Sequence, residues 1–303
     1  MILIVGGTGA LGSQVARRLL DRQQRVRIMS RTPEKAESLR AAGAEVVQGD
    51  LLDRDAVVRA CTGAEAVVAA AHSLFGRGAH ASARVDDDAH RRLIDIARAT
   101  AVRHVVYTSV LEPGPEYRTV PFFRIKHEVE RHLKTSGLSF TVLRPTAFME
   151  QHAHMLIGAS ILEGRRVMLI GRGEQPRNFV AADDVAAVAV QALQDPSLTG
   201  ETLEVAGPEN LTNMDVVRTY ERVSGVTARV AHLPLGVART LSRVIRPLHP
   251  GIAQVLQLAV LADTTDQRVD GRRVMARFGI EPIALEDWVH RRLRGSDAAH
   301  SAS

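Results

Sequence analysis

Residues 2–12 read Ile2-Leu3-Ile4-Val5-Gly6-Gly7-Thr8-Gly9-Ala10-Leu11-Gly12. Four β-favouring apolar residues run straight into a glycine-rich turn. Beyond it Val15, Leu19 and Leu20 recur at helical spacing, so a helix is predicted from Gly12. In such a unit Gly6 permits a tight turn, Gly9 lets main-chain amides approach a pyrophosphate, and Gly12 lets helix and strand pack closely. The helix N-terminus adds unpaired amides and partial positive charge. Gly6, Thr8, Gly9, Ala10, Leu11 and Gly12 are therefore the expected cradle of a dinucleotide. The spacing is G-x-x-G-x-x-G, not G-x-G-x-x-G. A glycine-rich turn by itself is only a turn; its place in a strand–loop–helix unit decides for binding.

Outward from this loop, β-rich runs at 25–29, 44–48, 64–71, 103–109 and 139–145 alternate with helical patterns at 33–42, 53–61, 86–99 and 126–136. Alternation at this spacing implies right-handed crossovers and a parallel sheet. The predicted class is α/β, a Rossmann-type doubly wound parallel sheet. After Pro145 the rhythm breaks. A helix at 148–163, a strand at 167–170, a helix at 183–193 and a strand at 202–206 that rejoins the sheet are expected. Helices follow from about residue 208, one of them with Thr212 and Asn213 as candidate caps. The predicted organisation is a nucleotide domain over 1–150, with 179–206 returning to it, and a small, mostly helical lobe over 151–178 and 207–294. The tail 295–303 has nothing apolar to bury and is expected to be unstructured.

The chain has 303 residues, 45% hydrophobic and 24% charged, enough for one full core and an appended lobe. The net charge of +5 comes from scattered arginines, and aromatics make up only 4%, which argues against nucleic acid and for anionic small molecules. The longest apolar run, Ile252–Ala262, is too short to cross a bilayer, and Met1–Val5 reads as a strand and not a signal peptide. One cysteine, Cys61, excludes an internal disulfide and suits a reducing cytoplasm.

The end of the second strand selects the dinucleotide. NAD-binding chains place a carboxylate there for the ribose diol. Here Ser30 occupies that position, followed by Arg31, with Lys35 a turn later. A guanidinium pairs with a 2′-phosphate that a carboxylate would repel. NADP(H) is preferred, with NAD(H) as the alternative. Asp50 and Leu51, after the third strand, either flank the adenine or, for Asp50, cap the next helix.

Several stretches resemble a known group: GGTGALG at the start, SRTPEKA after the second strand, QGDLLD after the third, HVVYTSV on the fifth, then LRPTAFMEQ and FVAADDVAAVAVQAL. Together they resemble the atypical short-chain dehydrogenase/reductases related to NmrA and to NADPH-dependent quinone reductases. The resemblance implies that Ala69–His72, with Ala70 and Ala71 at its centre, borders the adenosine and ribose. It implies that Ser109 lies near the nicotinamide, that Lys126 holds the nicotinamide ribose, and that Pro145 borders the ring. Ser109 and Lys126 are the implied catalytic pair. The catalytic tyrosine of that pattern, four residues before Lys126, is replaced by Phe122. A phenylalanine cannot exchange a proton with a carbonyl oxygen.

Other features read as structural. His152 and His154 form HxH, but residues two apart in a helix face apart, and no metal site is expected. Asp86, Asp87 and Asp88 favour a helix dipole, and Asp183 and Asp184 read as a cap. Tyr107 lies within a strand, Tyr117 in a Pro-rich loop mobile enough to replace the missing acid, and Cys61 in the core. Two functions follow. One is an NADPH-dependent oxidoreductase acting on a small quinone-like or apolar carbonyl acceptor. The other is a dinucleotide sensor of the NmrA type, reporting to a protein partner or a second copy through the C-terminal lobe. An isomerase or lyase with bound cofactor is a third.

Overall fold

The computed structural model describes residues 1–74, 76 and 78–300, and of Ala79 and residues 295–300 the backbone alone. Strands and helices alternate as β1 (Ile2–Val5), α1 (Ala10–Asp21), β2 (Val26–Ser30), α2 (Glu37–Ala41), β3 (Glu45–Gln48), α3 (Arg54–Cys61), β4 (Ala66–Ala69), α4 (His90–Ala99), β5 (His104–Thr108), α5 (Pro121–Thr135) and β6 (Ser139–Pro145). Then come β7 (Ala147–Phe148), α6 (Ala159–Leu162), β8 (Arg166–Ile170), β9 (Arg177–Val180), α7 (Ala182–Gln194), β10 (Thr202–Val205), β11 (Asn210–Leu211), α8 (Asn213–Ser224) and β12 (Arg229–Leu233). The chain closes with α9 (Leu235–Ile245), α10 (Pro250–Ala262), α11 (Gly271–Ala276) and α12 (Leu285–His300). Helix α12 thus enters the tail expected to be unstructured, and residues 301–303 of that tail lie outside the described residues.

Two compact units share the chain. The first comprises Met1–Pro145, Val185–Glu204 and Ile245–Val255; the second comprises Thr146–Asp184, Val205–Val244 and the stretch from Leu256 on. In the first, seven strands run in the order β10-β6-β5-β4-β1-β2-β3. The pairings from β6 through β3 are all parallel. Because helices cover both faces, the central strands β1 and β4 are apolar throughout and do not alternate. Leu3, Val5, Val67, Val105 and Val142 pack with Val57, Cys61, Leu93, Ile94, Val129 and Leu133 from α3, α4 and α5. The alternate residues Ile4, Ile28, Val68 and Val106 are buried on the other face.

The strand order reverses between β1 and β4, whose carboxyl ends open side by side. In open α/β sheets that is where ligands bind. The glycine loop leaves β1 there, and Ala70 and Ala71 leave β4.

The second unit holds a three-stranded sheet in the order β11-β9-β7 and a parallel pair of β8 and β12. Its core gathers Met149, Ile157, Val167, Phe179, Val216, Tyr220, Trp288 and Val289. Thr212 caps α8 in a reciprocal box with Asp215, while Asn213 is the first residue inside the helix. No helix among the described residues is long and apolar enough to cross a membrane.

Candidate coenzyme site

The glycine loop is fixed by close approach. Gly6 has φ +88°, and a Cβ there would lie 2.7 Å from the Ala71 nitrogen. A Cβ on Gly12 would lie 2.3 Å from the Gly6 carbonyl oxygen. Only glycine fits either place. Helix α1 opens at Ala10, two residues before the start read from the sequence, because the Gly9 amide already closes a turn on the Gly6 carbonyl at 3.0 Å. Gly9 is the N-cap, in extended conformation. No side chain caps the helix, and no acid stands in its first turn. Thr8, Gly9 and Ala10 are exposed; Leu11 and Gly12 are buried. The leading amides of the helix therefore have neither an intrahelical acceptor nor a side-chain substitute. Ala70 donates its amide to the Val5 carbonyl at 2.9 Å, which brings the β4 loop against the glycines.

At the end of β2, Ser30 is buried, and its hydroxyl donates to the Thr32 carbonyl at 3.0 Å. Arg31 and Lys35 are exposed. The Arg31 guanidinium reaches His80 Nδ1 at 3.0 Å. Asp50 accepts the Leu52 amide at 2.9 Å and so closes the turn after β3. Of its two readings, capping passes to Asp53, which accepts from the Asp55 and Ala56 amides at the start of α3. Leu51 is buried.

Lys126, on α5, is buried and donates to the Thr108 carbonyl at 3.1 Å. Asp86 Oδ1 stands 3.9 Å from its Nζ. The ammonium also lies 5.1 Å from the centroid of the Tyr107 ring and 5.7 Å from that of Phe122. Burial pulls the Lys126 pKa below the ordinary lysine value, and the charges of Asp86 and Glu130 oppose that fall. Asp86, fully buried, accepts from the Ser73 amide at 3.1 Å and from the Ser82 hydroxyl at 2.5 Å. The segment bearing it, Ala83–Ala89, is π-helical and leads into α4. Asp86 is therefore no dipole acid at a solvated helix start. It is the buried counter-ion of Lys126, a role not assigned to it from the sequence. Asp87, by contrast, pairs with Arg91, and Asp88 is exposed.

Ser109, just past β5, is buried, and its hydroxyl donates to Glu130 on α5. Glu130 is held by the forked Arg144 guanidinium at 3.0 and 2.6 Å. The structure thus gives Ser109 an internal acceptor one helical turn from Lys126. Pro145 ends β6 and is buried; its carbonyl accepts the Leu111 amide at 3.0 Å, tying the segment after β5 to β6.

Other sequence expectations change. Tyr117 is not mobile: it is 2% exposed and packs edge-on against Phe123 at 5.0 Å. The chain has three tyrosines, and Tyr107 and Tyr220 are likewise buried, so no phenol stands exposed. Asp183 and Asp184 lie inside the first turn of α7, and Asp184 accepts the Ile283 amide at 2.9 Å. The Ala182 amide at the start of that helix is taken instead by Glu150, at 3.1 Å, from a segment far away in sequence. His154 bonds through Nδ1 to the Tyr220 hydroxyl at 3.0 Å. Cys61 is core, and burial raises its thiol to about 12.

The cradle fits a pyrophosphate. Side chains are excluded at Gly6 and Gly12, α1 carries no acid in its first turn, and Arg31 and Lys35 follow β2, whose last residue is Ser30 and not a carboxylate. A family model described as the NmrA-like family matches residues 1–282. The chain belongs to the NmrA-like family. Among relatives of this NmrA-like chain, a (4-alkanoyl-5-oxo-2,5-dihydrofuran-3-yl)methyl phosphate reductase from Streptomyces griseus is 35% identical, over 94% of this chain and 92% of that one. A photosystem II assembly factor from Synechocystis is 28% identical, over 93% of this chain and 86% of its own. The fold is that of an NADPH-dependent quinone oxidoreductase from Escherichia coli, at TM-score 0.75 and 24% identity, covering 97% of this chain and all of that one.

Proposed function

We propose that this NmrA-like protein is an NADPH-dependent oxidoreductase that reduces a small quinone-like or apolar carbonyl acceptor without a catalytic tyrosine. The observation that carries the reading is the cradle at the end of β1, where glycine is obligatory and the helix amides have no partner of their own. Those amides would hold the pyrophosphate, Arg31 and Lys35 the 2′-phosphate, and Lys126 the nicotinamide ribose. The reduced nicotinamide supplies the hydride when bound. Lys126 stays in place because Asp86 and the Thr108 carbonyl fix its ammonium. Its buried charge favours the site for electron-rich oxygens. Ser109 is committed to Glu130 and serves to shape the site.

Phe122 decides the acceptor class. A ketone reduced to an alkoxide needs a proton at once, whereas a reduced quinone spreads its charge over the ring and takes its proton from water. The Streptomyces relative, a reductase, supports the reading. The buried tyrosines and the assembly-factor relative support the second one, a coenzyme-binding sensor with no turnover.

The test begins with a fluorescence titration of both dinucleotides and continues with loss of NADPH absorbance over a quinone panel. Steady turnover is the expected result. Tight binding without turnover on any acceptor would transfer the reading to the sensor. Arg31→Ala is expected to weaken NADPH at least about tenfold while leaving NADH unchanged; equal losses would refute the coenzyme choice.

A further inference from the structure

Beyond Ala69–His72 the loop after β4 runs on to Ser82, and its contacts join both ends of the proposed coenzyme site. One buried carboxylate, Asp86, holds its two shoulders, accepting the Ser73 amide at 3.1 Å and the Ser82 hydroxyl at 2.5 Å. Between them the loop folds on itself, with the Ser73 hydroxyl donating to the His80 carbonyl. A Cβ on Gly76 would lie 1.8 Å from that same His80 oxygen, so the fold-back leaves no room for a side chain there. The far end of this strap is the His80 imidazole, whose Nδ1 meets the Arg31 guanidinium at 3.0 Å.

We propose that His80 is a second recognition residue for the 2′-phosphate, delivered beside Arg31 by a strap that Asp86 anchors. This rests on the NADPH reading above. Arginine has no acceptor, so in this contact Arg31 donates and His80 Nδ1 accepts. The imidazole proton is then on Nε2, which is a donor. Among the described residues Nε2 has no partner. One guanidinium N–H is spent on His80, and the remaining fork stays available to phosphate oxygens. The pair therefore presents donors from two chain segments, one following β2 and one following β4. A ribose 2′-hydroxyl lacks the acceptor oxygens to use them; a phosphate monoester has three. His80 thus separates the two dinucleotides without touching what they share.

His80→Ala and His80→Gln are titrated with NADPH, NADH and adenosine 2′,5′-bisphosphate, so that the readout is binding and not turnover. His80→Ala is expected to raise Kd for NADPH and the bisphosphate about tenfold, the effect of losing one hydrogen bond to a charged group, with Kd for NADH unchanged. His80→Gln, which keeps an acceptor and a donor, is expected to recover part of the loss. Equal weakening of NADPH and NADH, or no weakening of NADPH, overturns the proposal. If Arg31→Ala discriminates between the coenzymes and His80→Ala does not, only the role of His80 falls. If the unmodified protein binds neither dinucleotide, the coenzyme reading falls first and this proposal with it.

Discussion

The two ends of the proposed coenzyme site are built from different materials. The phosphate end is main chain and exposed cation: three glycines, helix amides, Arg31 and Lys35. The Lys126 end is buried charge, an ammonium and a carboxylate held 3.9 Å apart inside the core beside His90 and Tyr107. The first end asks for shape and, apart from the Arg31–His80 contact, leaves its helix amides and cations open to a ligand. The second is spent already, since Lys126, Asp86, Ser109 and Glu130 each have internal partners. Changes at the phosphate end should therefore register mainly in binding, and changes at the lysine end in stability.

The largest expected effect tests the buried end. Lys126→Met leaves Asp86 as an uncompensated buried charge, and removing one partner of such a pair costs about 3–5 kcal/mol. Urea unfolding should show that loss; a change below about 1 kcal/mol would mean that the pair is not desolvated in solution. Next in size is the acid response. Burial first, and then the charge of Lys126, lower His90 to about 4 from an ordinary 6.5, with Asp86 and the Val85 carbonyl opposing. As pH falls below 6.5 the unfolded chain takes up a proton that the folded protein refuses. Stability is full above that pH and declines toward pH 4, by on the order of 3 kcal/mol from this residue. Urea midpoints measured in pH steps should follow that slope, and His90→Gln should flatten it. The smallest effect on stability belongs to the phosphate end. Gly12→Ala forces a methyl against the Gly6 carbonyl and should destabilise by about 1–3 kcal/mol. Because the glycine backbone serves the part common to both coenzymes, NADPH and NADH should weaken together. Selective loss of one in that variant would break the contrast between the two ends.

How much of this could be read in advance follows the range of each interaction. Although its partner in the reciprocal box, Asp215, was not singled out, the N-cap at Thr212 acts within one turn of chain and was legible. So was the role of Gly6 and Gly12, since strand, turn and helix adjoin in sequence. The partner of Asp86 lies forty residues away, and three consecutive aspartates gave no sign of which would be buried. Glu150 takes the amide at the start of α7 from a distant segment, which the nearer Asp183 and Asp184 give no reason to expect. Tyr117 sits among glycine and prolines that look like an open loop, but its ring lies on Phe123.

By itself the sequence determined the alternation of strands and helices, the glycine turn, the phenylalanine at 122 and the cations that follow β2. All of these depend on residue type and on spacing within a few turns of chain. Only the tertiary structure decided which acid neutralises Lys126, where the Ser109 hydroxyl points and that His80 meets Arg31. The first two rest on burial, where desolvation makes an unpaired charge costly, and the third on a contact between chain segments that follow two different strands.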